Sequence, residues 1–124
     1  MREERGTVQG PIEVDEKYNL WGTIHGDVKV IDGGKMYVRG TIHGDLIVDF
    51  GGRVHIFGQV TGNLMMFEGT KVINSGVIVG SATNKGGRFF VDKQGNVLGK
   101  IKTEDHGKTV VEDKYDAPDG YEAD

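Results

Sequence analysis

The chain has 124 residues, a formal net charge of −4, 21 glycines, two prolines and no cysteine. That length suits one domain with a surface-economical core, and the missing cysteines exclude a disulfide framework and a thiolate metal site. The acidic balance argues against a wholesale nucleic-acid binder, while many glycines with few prolines point to tight turns between short strands.

Residues 1–5 (MREER) are expected to form a short N-terminal arm, because Arg2 and Glu4 fall at positions whose later equivalents are apolar. The first twenty residues contain no apolar run suited to a signal or an anchor, so a cytoplasmic address is expected. From residue 6 the sequence repeats: GTIHGDVKV at 22–30 returns as GTIHGDLIV at 40–48. Gly-x-x-x-Gly pairs begin at Gly6, Gly22, Gly40, Gly58, Gly76 and Gly95, with spacings of 16, 18, 18, 18 and 19. Counted from the first glycine of each pair, offset +2 reads Val8, Ile24, Ile42, Val60, Ile78 and Val97. Offset +6 reads Ile12, Val28, Leu46, Leu64, Ala82 and Ile101. Every apolar column lies at an even offset, the period of strands with one face inward. One eighteen-residue coil cannot bury its own apolar row, but stacked coils can. The expected fold is therefore all-β: a single-domain parallel β-helix, or β-solenoid, of about 18 residues per coil and five to six coils over residues 6–104. At about 4.8 Å per coil this is a rod of roughly 25 to 30 Å. Gly33-Gly34-Lys35, Gly51-Gly52-Arg53 and Gly86-Gly87-Arg88, with Gly69-Thr70-Lys71 between them, mark the sharpest corner, where a positive φ suits glycine. Residues 105–124 are expected to be a C-terminal cap and an acidic tail, with six acidic residues and one Lys in 112–124.

At GTIHGDVKV, GTIHGDLIV and GQVTGNLMM the chain resembles the bactofilins, bacterial polymer-forming cytoskeletal proteins with Gly-x-(Val/Ile)-x-Gly-(Asp/Asn)-(Ile/Leu/Val) in their coils. The resemblance covers roughly residues 6–104. It implies a right-handed triangular β-helix, assembly into filaments without nucleotide, and scaffolding at the inner face of the cell envelope. With no apolar N-terminal targeting segment, any membrane association is expected to be indirect.

Several residue groups outside the core could carry chemistry. His25 and His43 occupy one outward offset on neighbouring coils, with Asp27 and Asp45 two residues on, a set able in principle to meet a metal ion. Without a pocket, an exposed cross-strand pairing is the favoured reading, and neither metal nor cofactor is expected. Left-handed β-helices of hexapeptide acyltransferases and γ-class carbonic anhydrases also use eighteen-residue coils, which keeps a metal-dependent enzyme as an alternative. Those chains repeat an aliphatic residue every six positions, whereas here the glycine pair recurs once per coil. No Walker-type loop and no Ser or Cys nucleophile beside a His is visible in the sequence, so no catalytic residue is expected. Lys35, Arg53, Lys71 and Arg88 form a basic corner, read as solubilising charge partly balanced by Asp32 and Glu68, or else as a dock for the acidic tail or an anionic partner. Trp21, Tyr37, Arg39 and Phe57, with Ile47, Met65 and Phe67 on another face, point outward and form the expected interaction face. A lid from Val110, Val111 and Tyr115 would be the bland account of that surface. The expected function is a non-enzymatic scaffold that self-associates into a homo-oligomer or polymer. The alternative is a small solenoid that masks a protein partner.

Overall fold

In the computed structural model, which describes residues 2–113, the chain is built only of strands and turns. The first coil holds β1 (Arg2–Glu4), β2 (Thr7–Gln9) and β3 (Ile12–Val14), and the second β4 (Lys17–Leu20), β5 (Thr23–His25) and β6 (Val28–Val30). Next come β7 (Lys35–Val38), β8 (Thr41–His43) and β9 (Leu46–Val48), then β10 (Arg53–Ile56), β11 (Gln59–Val60) and β12 (Leu64–Phe67). The fifth coil has β13 (Lys71–Asn74), β14 (Val77–Ile78) and β15 (Ala82–Lys85). The sixth has β16 (Arg88–Val91), β17 (Asn96–Val97) and β18 (Ile101–Glu104), and β19 (Lys108–Val111) follows.

Equivalent strands stack in parallel and in register into three sheets. The first sheet runs β1-β4-β7-β10-β13-β16-β19, the middle sheet β2 to β17, and the third β3 to β18. The fold is thus the β-solenoid expected, of about six turns. It extends past both expected boundaries. Arg2–Glu4, within the expected N-terminal arm, pairs with Tyr18–Leu20. Its inward positions tolerate charge because they lie at the open end of the rod, where the Arg2 guanidinium sits 4.7 Å from the Tyr18 ring centre. At the other end Lys108–Val111 pairs with Arg88–Val91 instead of folding over a side face as a lid. Tyr115 and the rest of the expected tail, residues 114–124, lie outside the described residues.

The even-offset columns form the core: Ile24, Ile42, Val60 and Ile78 are fully buried, as are Val28, Leu46, Val30, Val48 and Met66. The columns open only at the ends, where Val8, Ile12 and Val97 are partly buried and Ile101 is exposed. The glycine pairs bracket the short middle-sheet strands, and their reason is close approach. A Cβ on Gly40 would stand 1.9 Å from the carbonyl oxygen of Gly22, one coil below. The corner glycines Gly33, Gly51, Gly69 and Gly86 do have positive φ, between 74° and 105°. Asp32 and Phe50 pack over Gly51 and Gly69 of the following coil, and Glu68 approaches Gly86 in the same way.

Candidate interaction site

Register fixes what each outward face presents. At the leading edge of the first sheet Lys17, Lys35, Arg53, Lys71, Arg88 and Lys108 align one above another. The four cations expected at this corner thus become a ladder of six. Lys17 and Lys108 lack the preceding glycine pair; counting eighteen residues back from Lys35 would have found Lys17. Asp32 and Glu68, expected to balance this corner in part, form no ion pair with the ladder among the described residues. The ion pairs Arg5–Glu3, Lys29–Asp49 and Lys102–Glu104 all lie off the ladder. The Asp32 carboxylate lies over Gly51 of the next coil, and Glu68 approaches Gly86 through its Cα and Cβ. Like charges about 4 Å apart repel by about 1 kcal/mol even in bulk water, so the row carries a standing electrostatic cost. Lys17 and Lys35 relieve part of it against the Tyr37 ring, at 5.9 and 5.6 Å, and Lys71 against Phe90 at 6.0 Å. A shallow polar groove of about 250 Å³ runs between Arg53, Lys71, Arg88 and the glycine corners.

The aromatic part of the expected face lies beside this ladder. Immediately after the first-sheet strands, Arg5, Trp21, Arg39 and Phe57 stack in alternation. Arg39 lies 4.9 Å from the Trp21 ring and 4.7 Å from Phe57, and Arg5 covers the other side of Trp21 at 5.1 Å. The Trp21 indole Nε1–H also donates to Glu3. Trp21, at 45% exposure, is therefore sandwiched between two guanidinium groups, and Phe57, at 41%, is covered by Arg39 and stacked on His55 at 3.9 Å, so neither is bare apolar surface. Tyr37, with Arg39 5.6 Å from its ring, is half-buried in the adjoining row with His55, Ile73 and Phe90. Ile47, Met65 and Phe67 lie on the third sheet, where Ile47 and Met65 are direct neighbours flanked by Lys29 and Thr83. The two groups are thus separate patches, one along the first sheet and one on the third.

His25 and His43 stack at 4.9 Å. The two aspartates do not join them. Asp27 Oδ1 accepts from the Asp45 N–H at 2.8 Å and Asp45 Oδ1 from the Asn63 N–H at 2.8 Å. Asn63 Oδ1 then accepts from the Ser81 N–H, and Ser81 Oγ from the Lys100 N–H. The Asp or Asn after the second, third and fourth glycine pairs is a rung-to-rung backbone acceptor. Among the described residues no three His, Cys, Asp or Glu side chains converge on a metal position.

One arrangement departs from the sequence reading, which saw no serine beside a histidine. Ser75 Oγ is 2.9 Å from His55 Nε2 and donates to Asp92 Oδ2 at 2.5 Å. Twenty residues separate Ser75 from His55 in sequence, so only coil stacking reveals the pair. The order of partners matters. Nucleophile activation needs the serine to give its proton to the imidazole, which the carboxylate orients. Here the hydroxyl proton goes to Asp92, leaving His55 Nε2–H as donor to Ser75. Burial holds His55 below its ordinary 6.5, and the Ser75 hydrogen bond is the main influence holding Asp92 below 3.8.

The remaining exposed apolar side chains gather at the C-terminal end: Val79, Leu98 at 67%, Ile101, Val110 and Val111 at 53%. Phe50, at 63%, stands alone at the corner over Gly69. Val79 and Leu98 were not evident in the sequence because they stand between the two glycines of a pair, at the offset that His25, His43 and Thr61 make polar in earlier coils. Comparison with family models, with curated proteins and with solved structures finds no match to this chain.

Proposed function

We propose that the chain is a non-enzymatic structural module that self-associates, with the open C-terminal rung as its principal contact. The observation that carries this reading is the end itself. β17, β18 and β19 each have one strand neighbour among the described residues, and Leu98, Ile101, Val110 and Val111 are exposed on or beside them. An unpaired strand edge with apolar side chains is a template for another chain. The likeness of GTIHGDVKV and GTIHGDLIV to bactofilin coils supports a cytoskeletal scaffold with right-handed coils, located in the cytoplasm at the inner face of the envelope. Its partner on this reading is a further copy of itself, with no cofactor and no nucleic acid.

The Trp21–Arg39–Phe57 stack favours a second reading, a solenoid that masks a protein partner through its first sheet, since Trp, Phe and Arg are enriched in such contacts. Light scattering and electron microscopy of the pure protein separate the two. Oligomers or filaments broken by Leu98→Lys with Val110→Lys support self-association through the end. A monomer at every concentration removes that reading in favour of the masking module.

A further inference from the structure

We propose that the six-cation ladder of the first sheet is the docking surface for the chain's own acidic segment, residues 112–124. The ladder aligns Lys17, Lys35, Arg53, Lys71, Arg88 and Lys108 at strand spacing, with no carboxylate in ion-pair range among the described residues. The segment holds six acidic residues and one Lys, so removing its net −5 from the chain's −4 leaves the preceding residues at +1. The negative balance of the whole chain therefore comes from this one stretch. Position agrees with charge. The Glu112 N–H donates to Val91 O, which keeps the chain on the first sheet as far as residue 112. Six strands span about 24 Å at about 4.8 Å each, and thirteen extended residues reach about 40 Å, enough to cross the sheet and return along the ladder. Chemistry agrees as well. Beside the cations run the half-buried Tyr37, Ile73 and Phe90, a strip able to receive Tyr115 and Tyr121, which the sequence intersperses with the acids. This inference stands apart from self-association through the C-terminal rung.

The absence of cysteine allows a single spin label at Ala123→Cys in the full chain, read by amide line broadening at dilution. Docking predicts loss of signal at Lys35, Arg53, Lys71 and Arg88, well beyond that on the middle and third sheets. It also predicts recovery at 1 M salt, where the screening length falls to about 3 Å. The variant Asp116→Asn/Asp119→Asn/Glu122→Gln/Asp124→Asn, carrying the same label, should lose the effect at low salt. Broadening spread equally over the three sheets, or unchanged by salt and by the amide variant, overturns the proposal. So does broadening found only when a spin-labelled copy is mixed with an isotope-labelled one, which would make a second copy the occupant.

Discussion

Ser75 gives its hydroxyl proton to Asp92, so the neighbouring His55 is held neutral by burial and donates its Nε2–H to a serine that cannot be its nucleophile. A histidine whose folded pKa lies below its ordinary value is penalised when protonated. Its contribution is present above 6.5 and is lost as pH falls from there toward the folded value. Asp92 adds a second, more acidic limb: its contribution is present above 3.8 and is lost as pH falls through its depressed folded pKa. Thermal melts across pH should show a decline setting in below 6.5, and His55→Gln should remove that decline while the acid limb of Asp92 remains. A second residue-scale outcome concerns Gly40. The atom a Cβ would meet is the Gly22 backbone oxygen, which no rotamer change can move aside, so Gly40→Ala should cost about 3 kcal/mol, the upper end for overpacking. Chemical denaturation measures it.

The repeat made the strands legible because burial of one face imposes a period of two along each coil, and Ile24, Ile42, Val60 and Ile78 betray it directly. What the sequence concealed are contacts between coils. Asp45 read as a possible metal ligand, and only stacking shows its Oδ1 accepting from the Asn63 N–H above. Asp45→Asn keeps that acceptor and should be nearly silent, whereas Asp45→Ala should lose about 1 kcal/mol in an equilibrium unfolding titration. The last coils break the period for a similar reason. Asn84 is buried where Met66 and Val48 stand in earlier coils. Its Oδ1 accepts from the Gly87 N–H, and its Nδ2 donates to the Gly87 and Lys108 carbonyls, spanning a corner where the step from Lys71 to Arg88 is 17 residues and that to Lys108 is 20. An apolar residue would fit the column but strand those groups. Asn84→Leu should therefore cost about 1–3 kcal/mol, read from the same titration. The Trp21–Arg39–Phe57 stack was half legible: its aromatics were evident as exposed groups, its guanidinium cover was not, because Arg5 and Arg39 meet Trp21 only through the register.

At the scale of the whole rod, the two ends are unlike. The N-terminal end turns Arg2 and Glu4 inward, a charged guard against continuation. The C-terminal end offers Leu98, Ile101, Val110 and Val111 beside strand edges that are open among the described residues, with neighbouring charges such as Lys100 and Lys102 as guards. A pairing of C-terminal ends is the contact this asymmetry favours, and the cation-covered aromatics of the first sheet are a secondary one. Trp21→Ser with Phe57→Ser should accordingly weaken assembly less than Leu98→Lys with Val110→Lys, with circular dichroism unchanged in both. Sedimentation velocity of the unmodified full chain, from low to high micromolar concentration, tests the scaffold account most directly. The account predicts a dimer or larger species that grows with concentration and is lost in Leu98→Lys/Val110→Lys; a single monomeric boundary across the whole range would contradict it.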